Sequence, residues 1–323
     1  MAVLFAGTST ADFDYVSGSI GTSTVAGDLS PNVAEGINVV GDFAQVAVAT
    51  QTEIWVTYYI RNDQGSSLSS TYTGIFMLQT LGDATGDGGM YIKHGQGSMT
   101  LYVHNGSSYV SQGSFSVTNN TLYRIDVRFK IDASAGAAYV YLNGELILSG
   151  TGLDTTAKIT EVNAIGFYQT GPLTTSTYSA IIAADETTRG MDLIPLAITG
   201  NGTLTDWTGD YTDIDETGYD DGDFIASTTG GDQETYTFDL TVPNGYVINS
   251  IVVSARMANY GDLVSGIKAI TYQSATAYDM ATYSGIEFLP DHNQIISDTN
   301  PATGLAWLEA DITGGELGFE TIA

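Results

Sequence analysis

Residues 124–150 restrict the fold more than any other part of the chain. Arg124 to Ile131, RIDVRFKI, alternates polar and apolar at every step. Ile125, Val127, Phe129 and Ile131 therefore share one face, and Arg124, Asp126, Arg128 and Lys130 share the other. A period of two is that of a half-buried β-strand. The loop DASAGA follows, and then YVYLNGELILSG, Tyr139 to Gly150. Asn143 and Gly144 tolerate the two positive φ angles of a type I′ turn, which predicts strands at Tyr139–Leu142 and Glu145–Leu148. Three consecutive antiparallel strands with one apolar face need a second sheet to cover that face.

The rest of the chain extends the same reading. Strands are predicted at Ile54–Ile60, Gly74–Leu81, Met90–Lys93, Met99–Val103, Tyr109–Phe115, Ala164–Gln169 and Tyr178–Ala183, with the turn-forming runs NDQGSS, GDATGDGG, HNGSS and TNNT between them. This spacing is that of a β-sandwich. No span of 12 residues has a helical period. Charged residues make up only 14% of the chain, against about 25% in an ordinary globular protein. The 38 Gly and 20 Tyr favour strands and turns.

At 323 residues the chain has room for two domains. Charge divides it. Residues 1–195 hold 7 basic and 17 acidic groups, whereas residues 196–323 hold 2 basic and 20 acidic. The expected organisation is all-β: a sandwich over residues 1–190, a linker over 191–202 around Pro195, and a small acidic sandwich over 203–323. In the second domain, strands are predicted at Gln233–Leu240, Val247–Met257, Gly266–Tyr272 and Gly285–Phe288.

The totals also exclude partners. A net charge of −28 sets the chain against nucleic acid and anionic membrane surfaces, which require clustered Lys and Arg. With no cysteine there is no disulfide, thiolate nucleophile or Cys-ligated zinc. MAVLFAGTSTADF lacks a basic leader region, so no secretion signal is expected, and no apolar run of about 18 residues predicts a membrane span.

Candidate chemistry is sparse. His94, His104 and His292 have no assignable carboxylate partner, and a surface or structural role is expected for each. Asp213 and Asp215 open a D-x-D-x-x-G run, and Asp83 and Asp87 lie in a similar Gly-rich loop. Neither is an EF-hand, because the twelfth positions are Phe224 and His94 where a bidentate Glu is required. A calcium site of another kind stays open at these four aspartates, since hard cations take clustered oxygen ligands. No cofactor motif is present. The sequence has no Glu-x-Asp-x-x-Glu run, no G-x-S-x-G elbow, no P-loop and no H-E-x-x-H, so a non-enzyme is expected. Tyr72, Tyr91, Tyr102, Tyr109, Tyr139 and Tyr141 offer rings that could stack on sugars, against the plainer role of cross-strand packing. Trp207 and Trp307 are expected as core anchors, with Trp307 alternatively sealing a subunit contact.

Two segments resemble known families. LYRIDVRFKIDASAGAAYVYLNGELILSGTGLDTT, through Tyr123, Ile125, Val127, Gly136, Tyr139, Val140, Asn143 and Gly144, resembles the back half of laminin-G/concanavalin A-like jelly-roll domains. The resemblance implies that fold for residues 1–190 and says little of ligand. Farther on come an acidic DIDETGYDDGDFIASTTGGDQETYTFDL stretch and NPATGLAWLEADITGGELGFE. With Pro301, Thr303, Gly304, Trp307, Ala310, Glu316 and Gly318, they resemble a layout found in structural proteins of tailed bacteriophages; Leu308 departs from it, standing where Thr is usual. That resemblance implies a virion component assembled in host cytoplasm on the particle exterior: a capsid decoration or head fibre, or a tail-fibre or adaptor part. Its expected partners are other virion proteins, its own copies in a homo-oligomer (a trimer by preference) and a weakly bound host-surface glycan. A lectin acting by recognition alone and a polysaccharide depolymerase are the competing expectations.

Overall fold

The computed structural model of the chain describes all residues except 9–11, 17–20, 24–35, 40–42, 64–72, 81–87, 96, 119, 171–174, 216–220, 262–263, 287 and 289–290. Two compact units divide at Ile194 and Pro195.

Unit 1 is an all-β sandwich of jelly-roll kind. Its strands are β1 (Val3–Gly7), β2 (Tyr15–Val16), β3 (Gly21–Ser23), β4 (Gly36–Val39), β5 (Phe43–Gln51), β6 (Glu53–Asp63), β7 (Thr73–Gln79), β8 (Met90–Gly95), β9 (Ser98–His104), β10 (Tyr109–Ser116), β11 (Leu122–Lys130), β12 (Gly136–Leu142), β13 (Glu145–Leu153), β14 (Val162–Thr170) and β15 (Thr175–Ala184). One sheet runs β13-β12-β11-β6-β15-β4-β3, with β1 also paired to β15; the other runs β10-β9-β8-β7-β14-β5-β2. Every pairing is antiparallel.

Alternation sets which side chains meet in the middle. On β9, Met99, Leu101 and Val103 are buried, while the residues between them are partly exposed. On β11, Ile125, Val127 and Phe129 point inward and meet the inner residues of β6 in register, Val127 opposite Val56 and Phe129 opposite Ile54. At the centre lies an aromatic nucleus in which Tyr58 stacks on Phe76 at 4.7 Å and Phe167 packs on Tyr178 at 4.5 Å. The Asn143-Gly144 hairpin forms as the sequence predicts, with φ of 50° and 89°.

His94 is part of this nucleus and not a surface residue. Its ring nitrogens meet Tyr58 Oη at 3.2 Å and Tyr178 Oη at 3.1 Å. A neutral imidazole supplies one donor and one acceptor, which suits two hydroxyls. Burial disfavours the charged ring and lowers its pKa to about 3.

Unit 2 comprises β16 (Ala197–Thr205), β17 (Gln233–Asp239), β18 (Ile251–Met257), β19 (Gly266–Gln273), β20 (Thr276–Ser284), β21 (Asp291–Ser297) and β22 (Glu316–Ile322), with the short helix α1 (Glu309–Thr313). Its sheets are β16-β17-β22-β19-β20 and β18-β21. Residues 197–202, expected as linker, instead begin edge strand β16, where the AITGNGTLT run alternates exposed and half-buried positions. The expected strand at Gly285–Phe288 is also displaced: the chain pairs at Asp291–Ser297, against β18. Trp307 is only 2% exposed, and its indole N–H donates to the Ser297 carbonyl at 2.9 Å. The ring is consumed inside unit 2, so it anchors that core and does not itself seal a subunit contact. Its neighbours Leu305 and Leu308 are the exposed residues.

Candidate functional site

The outer face of the β12-β11-β6 sheet concentrates the chemistry of unit 1. Register places Trp55, Arg128 and Tyr139 in one cross-strand row, Thr57, Asp126 and Tyr141 in the next, and Tyr59 with Arg124 in a third. The Arg128 guanidinium lies between rings, 5.5 Å from the Trp55 centroid and 5.3 Å from that of Tyr139, and Nε donates to Glu53 Oε1 at 2.7 Å. Trp55 and Tyr141 stack at 6.2 Å. Residues of this kind across a pleated face stabilise the sheet, and Trp55, Tyr139 and Tyr141 remain partly exposed.

Asp126 breaks the strand's pattern. Its parity is that of the solvent face, yet it is 1% exposed. The reason is the segment after β15. Thr188 is buried over Asp126, and Thr57 Oγ1 bridges them, donating to Asp126 Oδ1 at 2.6 Å and lying 2.7 Å from Thr188 Oγ1. Arg124 binds the same carboxylate oxygen through Nε at 3.1 Å. Its other nitrogens donate to Asp192 Oδ1 and to the Thr188 carbonyl, each at 3.1 Å. Burial opposes the charge on Arg124, but the Asp126 carboxylate and Tyr59 outweigh it and raise the guanidinium pKa. Asp126 Oδ2 is buried and has no hydrogen-bond partner.

Beside this network is an open cleft of about 500 Å³, lined by Arg124, Asp126, Asn143, Gly144, Thr187 and Arg189. Arg189 spans it. Its guanidinium lies 4.1 Å from the Tyr141 ring centroid, and Nη2 donates to the Gly144 carbonyl at 2.8 Å. The turn fixes that carbonyl, because Asn143 pairs with Arg124 through both N–H to O (2.9 Å) and Oδ1 from N (3.0 Å). The hairpin from which the fold was read therefore also forms one wall of the cleft.

The other sheet carries a second aromatic group. Tyr91 stacks on Tyr102 at 4.7 Å and meets Tyr109 edge-on at 4.6 Å, and His104 packs edge-on against Tyr109 at 4.8 Å. Five of the six tyrosines singled out in sequence thus fall into two groups on opposite sheets, while Tyr72 lies outside the described residues. So do Asp83 and Asp87. Asp213 ends a single 3-10 turn, where its Oδ2 accepts the Asp210 N–H at 2.8 Å; Asp215 is exposed nearby. Among the described residues no three acidic or histidine side chains converge to hold a metal ion. No helix of the described residues is long and apolar enough to cross a membrane. Trp55, Thr57 and Arg189 went unnoticed in sequence. Trp55 and Thr57 belong to a strand predicted as a range without assignment of its two faces, and Arg189 lies in a stretch without periodicity.

No protein-family model matches the chain, and no curated protein matches it in sequence. Among solved structures, the binding domain of botulinum neurotoxin serotype C1 is 11% identical, with 100% of this chain and 99% of that one covered at a TM-score of 0.41. A carbohydrate esterase of the Shiga toxin-encoding bacteriophage phi24B is 12% identical over 57% of this chain and 99% of its own, with a TM-score of 0.42. The carbohydrate-binding module CBM66 from Bacillus subtilis is 11% identical over 50% and 92%, at 0.33. None of these likenesses reaches 0.5, and no activity or ligand is carried over from them.

Proposed function

We propose that the chain is a non-enzymatic structural component of the exterior of a tailed-phage particle, in which unit 1 presents a glycan-binding face. The observation that carries the binding half is the outer face of β12-β11-β6. It interleaves Trp55, Tyr139 and Tyr141 with Arg124 and Arg128, and Arg189 lies over Tyr141. Flat rings flanked by fixed hydrogen-bonding groups suit a saccharide, whose apolar ring face stacks and whose hydroxyls need directed partners. Support for the particle half is the resemblance of the run from Pro301 to Gly318 and of the acidic stretch before it. The cysteine-free composition and the −28 charge agree with an external part made in a reducing compartment. Head decoration, head fibre, tail fibre and adaptor are all external positions consistent with this.

Two measurements test the reading. Quantitative mass spectrometry of purified source particles is expected to find the chain in every particle; its absence would remove the virion assignment and leave a free lectin using the same face. A glycan array is expected to give binding that falls roughly three- to tenfold for Trp55→Ala, as loss of one stacking ring should. Binding unchanged in that variant would move the site elsewhere. Release of reducing sugar from host polysaccharide would overturn the non-enzymatic assignment in favour of a depolymerase.

A further inference from the structure

The cations of the outer face are not equivalent. Arg124 pairs with Asp126 and Asp192, Arg128 with Glu53, and Lys130 with Asp132. Arg189 has no carboxylate partner among the described residues. Its contacts are one carbonyl and one ring. In a chain with 37 acidic groups and 9 basic ones, an exposed arginine held by a neutral carbonyl over an aromatic ring is poorly explained by stability alone.

The cleft beneath it adds a second, independent sign. Asp126 is buried, and its Oδ2 lacks a partner, although buried carboxylate oxygens are normally satisfied. The Asn143 side-chain amide, on the same wall, donates to no described residue. The cleft of about 500 Å³ thus presents an unpaired cation and an uncommitted donor, with the unsatisfied Asp126 oxygen buried in its floor. That volume falls inside the roughly 300–1,000 Å³ of small-molecule sites.

We infer that the Arg189 cleft binds a short carboxylated saccharide, its carboxylate on Arg189 and its hydroxyls on the Asn143 wall of the cleft. This rests on the glycan-binding reading and narrows it to one ligand class. An arginine fork matches a carboxylate bidentately, and with one Nη2 hydrogen on Gly144 the second Nη2 hydrogen and the N–H beside it still form such a fork. Denser polyanions are disfavoured, since one cation serves one charge and the chain as a whole carries −28.

The test is titration calorimetry of the full chain with aldotriouronic acid, a trisaccharide with a single carboxylate, and with neutral xylotriose, at about 0.15 M salt, where screening acts beyond roughly 8 Å. The acidic trisaccharide is expected to bind and the neutral one to bind at least about tenfold more weakly. Arg189→Gln should abolish that preference, while Arg189→Lys should keep part of it, having the charge without the fork. Arg189 is exposed, so neither variant disturbs the core, and unchanged thermal melting checks this. Equal binding of both sugars, insensitive to Arg189→Gln, would overturn the carboxylate class and leave a general glycan face standing. Acid-selective binding that survives Arg189→Gln would overturn the cleft as its location. No binding of any saccharide, on this titration and on an array, would remove the glycan reading together with the inference.

Discussion

His94 makes the stability of unit 1 depend on pH in a direction that can be calculated. Its pKa is about 3 in the folded state because the ring is buried against Tyr58 and Tyr178, and about 6.5 in an unfolded chain. Between those values the unfolded state binds a proton that the folded state refuses, so this contribution is intact above about pH 6.5 and is lost as pH falls toward 3. The loss is about 1.4 kcal/mol per pH unit in that window, or about 2.5 kcal/mol at about pH 4.5. The many carboxylates also titrate there, so the control is His94→Gln. Its amide retains one donor and one acceptor for the two hydroxyls but does not ionise. The readout should belong to unit 1 alone. Met90 and Met99 are buried in that unit, and peroxide oxidation of their thioethers against urea concentration, followed by mass spectrometry, reports its unfolding. Between about pH 7.5 and 4.5 the unmodified chain should lose about 2–3 kcal/mol more than His94→Gln does. Equal losses in the two proteins would show that the folded state accepts the proton, and the account of His94 as a neutral core bridge would be wrong.

Three further outcomes follow from local geometry. Ser274 and Ala275 form the β19–β20 turn at φ of 51° and 61°, so replacing them with Asn and Gly should stabilise unit 2 by about 1–2 kcal/mol in urea melts, with Met257 oxidation as the unit 2 probe. At Gly144 a Cβ would meet nothing within 4 Å, so Gly144→Ala should cost only about 1 kcal/mol, from the positive φ alone; a larger loss in a urea melt of unit 1, read by Met90 and Met99 oxidation, would show that the turn is sterically confined as well. Trp307→Ala should destabilise unit 2 by about 3–5 kcal/mol while unit 1 melts unchanged, measured by calorimetry with the two transitions resolved.

What sequence revealed and what it concealed separate along one physical line. The Asn143-Gly144 hairpin was legible because those residues are chosen for positive φ. The β19–β20 hairpin was hidden because Ser274 and Ala275 adopt the same backbone without any residue signal, so the TAYDMATYS strand after them went unread. Strand parity gave Arg124, Arg128 and the buried row of β11 correctly, and misplaced Asp126, because parity knows the sheet and not the segment that later crosses it. The same limit hid Arg189: its significance lies in a contact with Gly144, 45 positions away in the chain. Spacing left a calcium site open at Asp213, and it gave no sign that this carboxylate accepts the Asp210 N–H within a short turn. For His94 the sequence left a surface and a structural role open, and the structure gives it the structural one in the core, where it bridges Tyr58 and Tyr178.

The pairing of β1 with β15 has a consequence for synthesis on the ribosome. Val3–Gly7 finds its partner strand only at Ile181–Ala184, and the Ala2 N–H is tied to Asp185 Oδ1, 183 positions later. At roughly 5–20 residues per second, the first strand emerges and then waits about ten to forty seconds for the last. During that interval the VLFAG segment, largely buried in the finished sheet, has no native neighbour to pair with. The β1 strand therefore cannot add to its sheet until β15 has been made, and slowing translation near residue 180 should lengthen that delay.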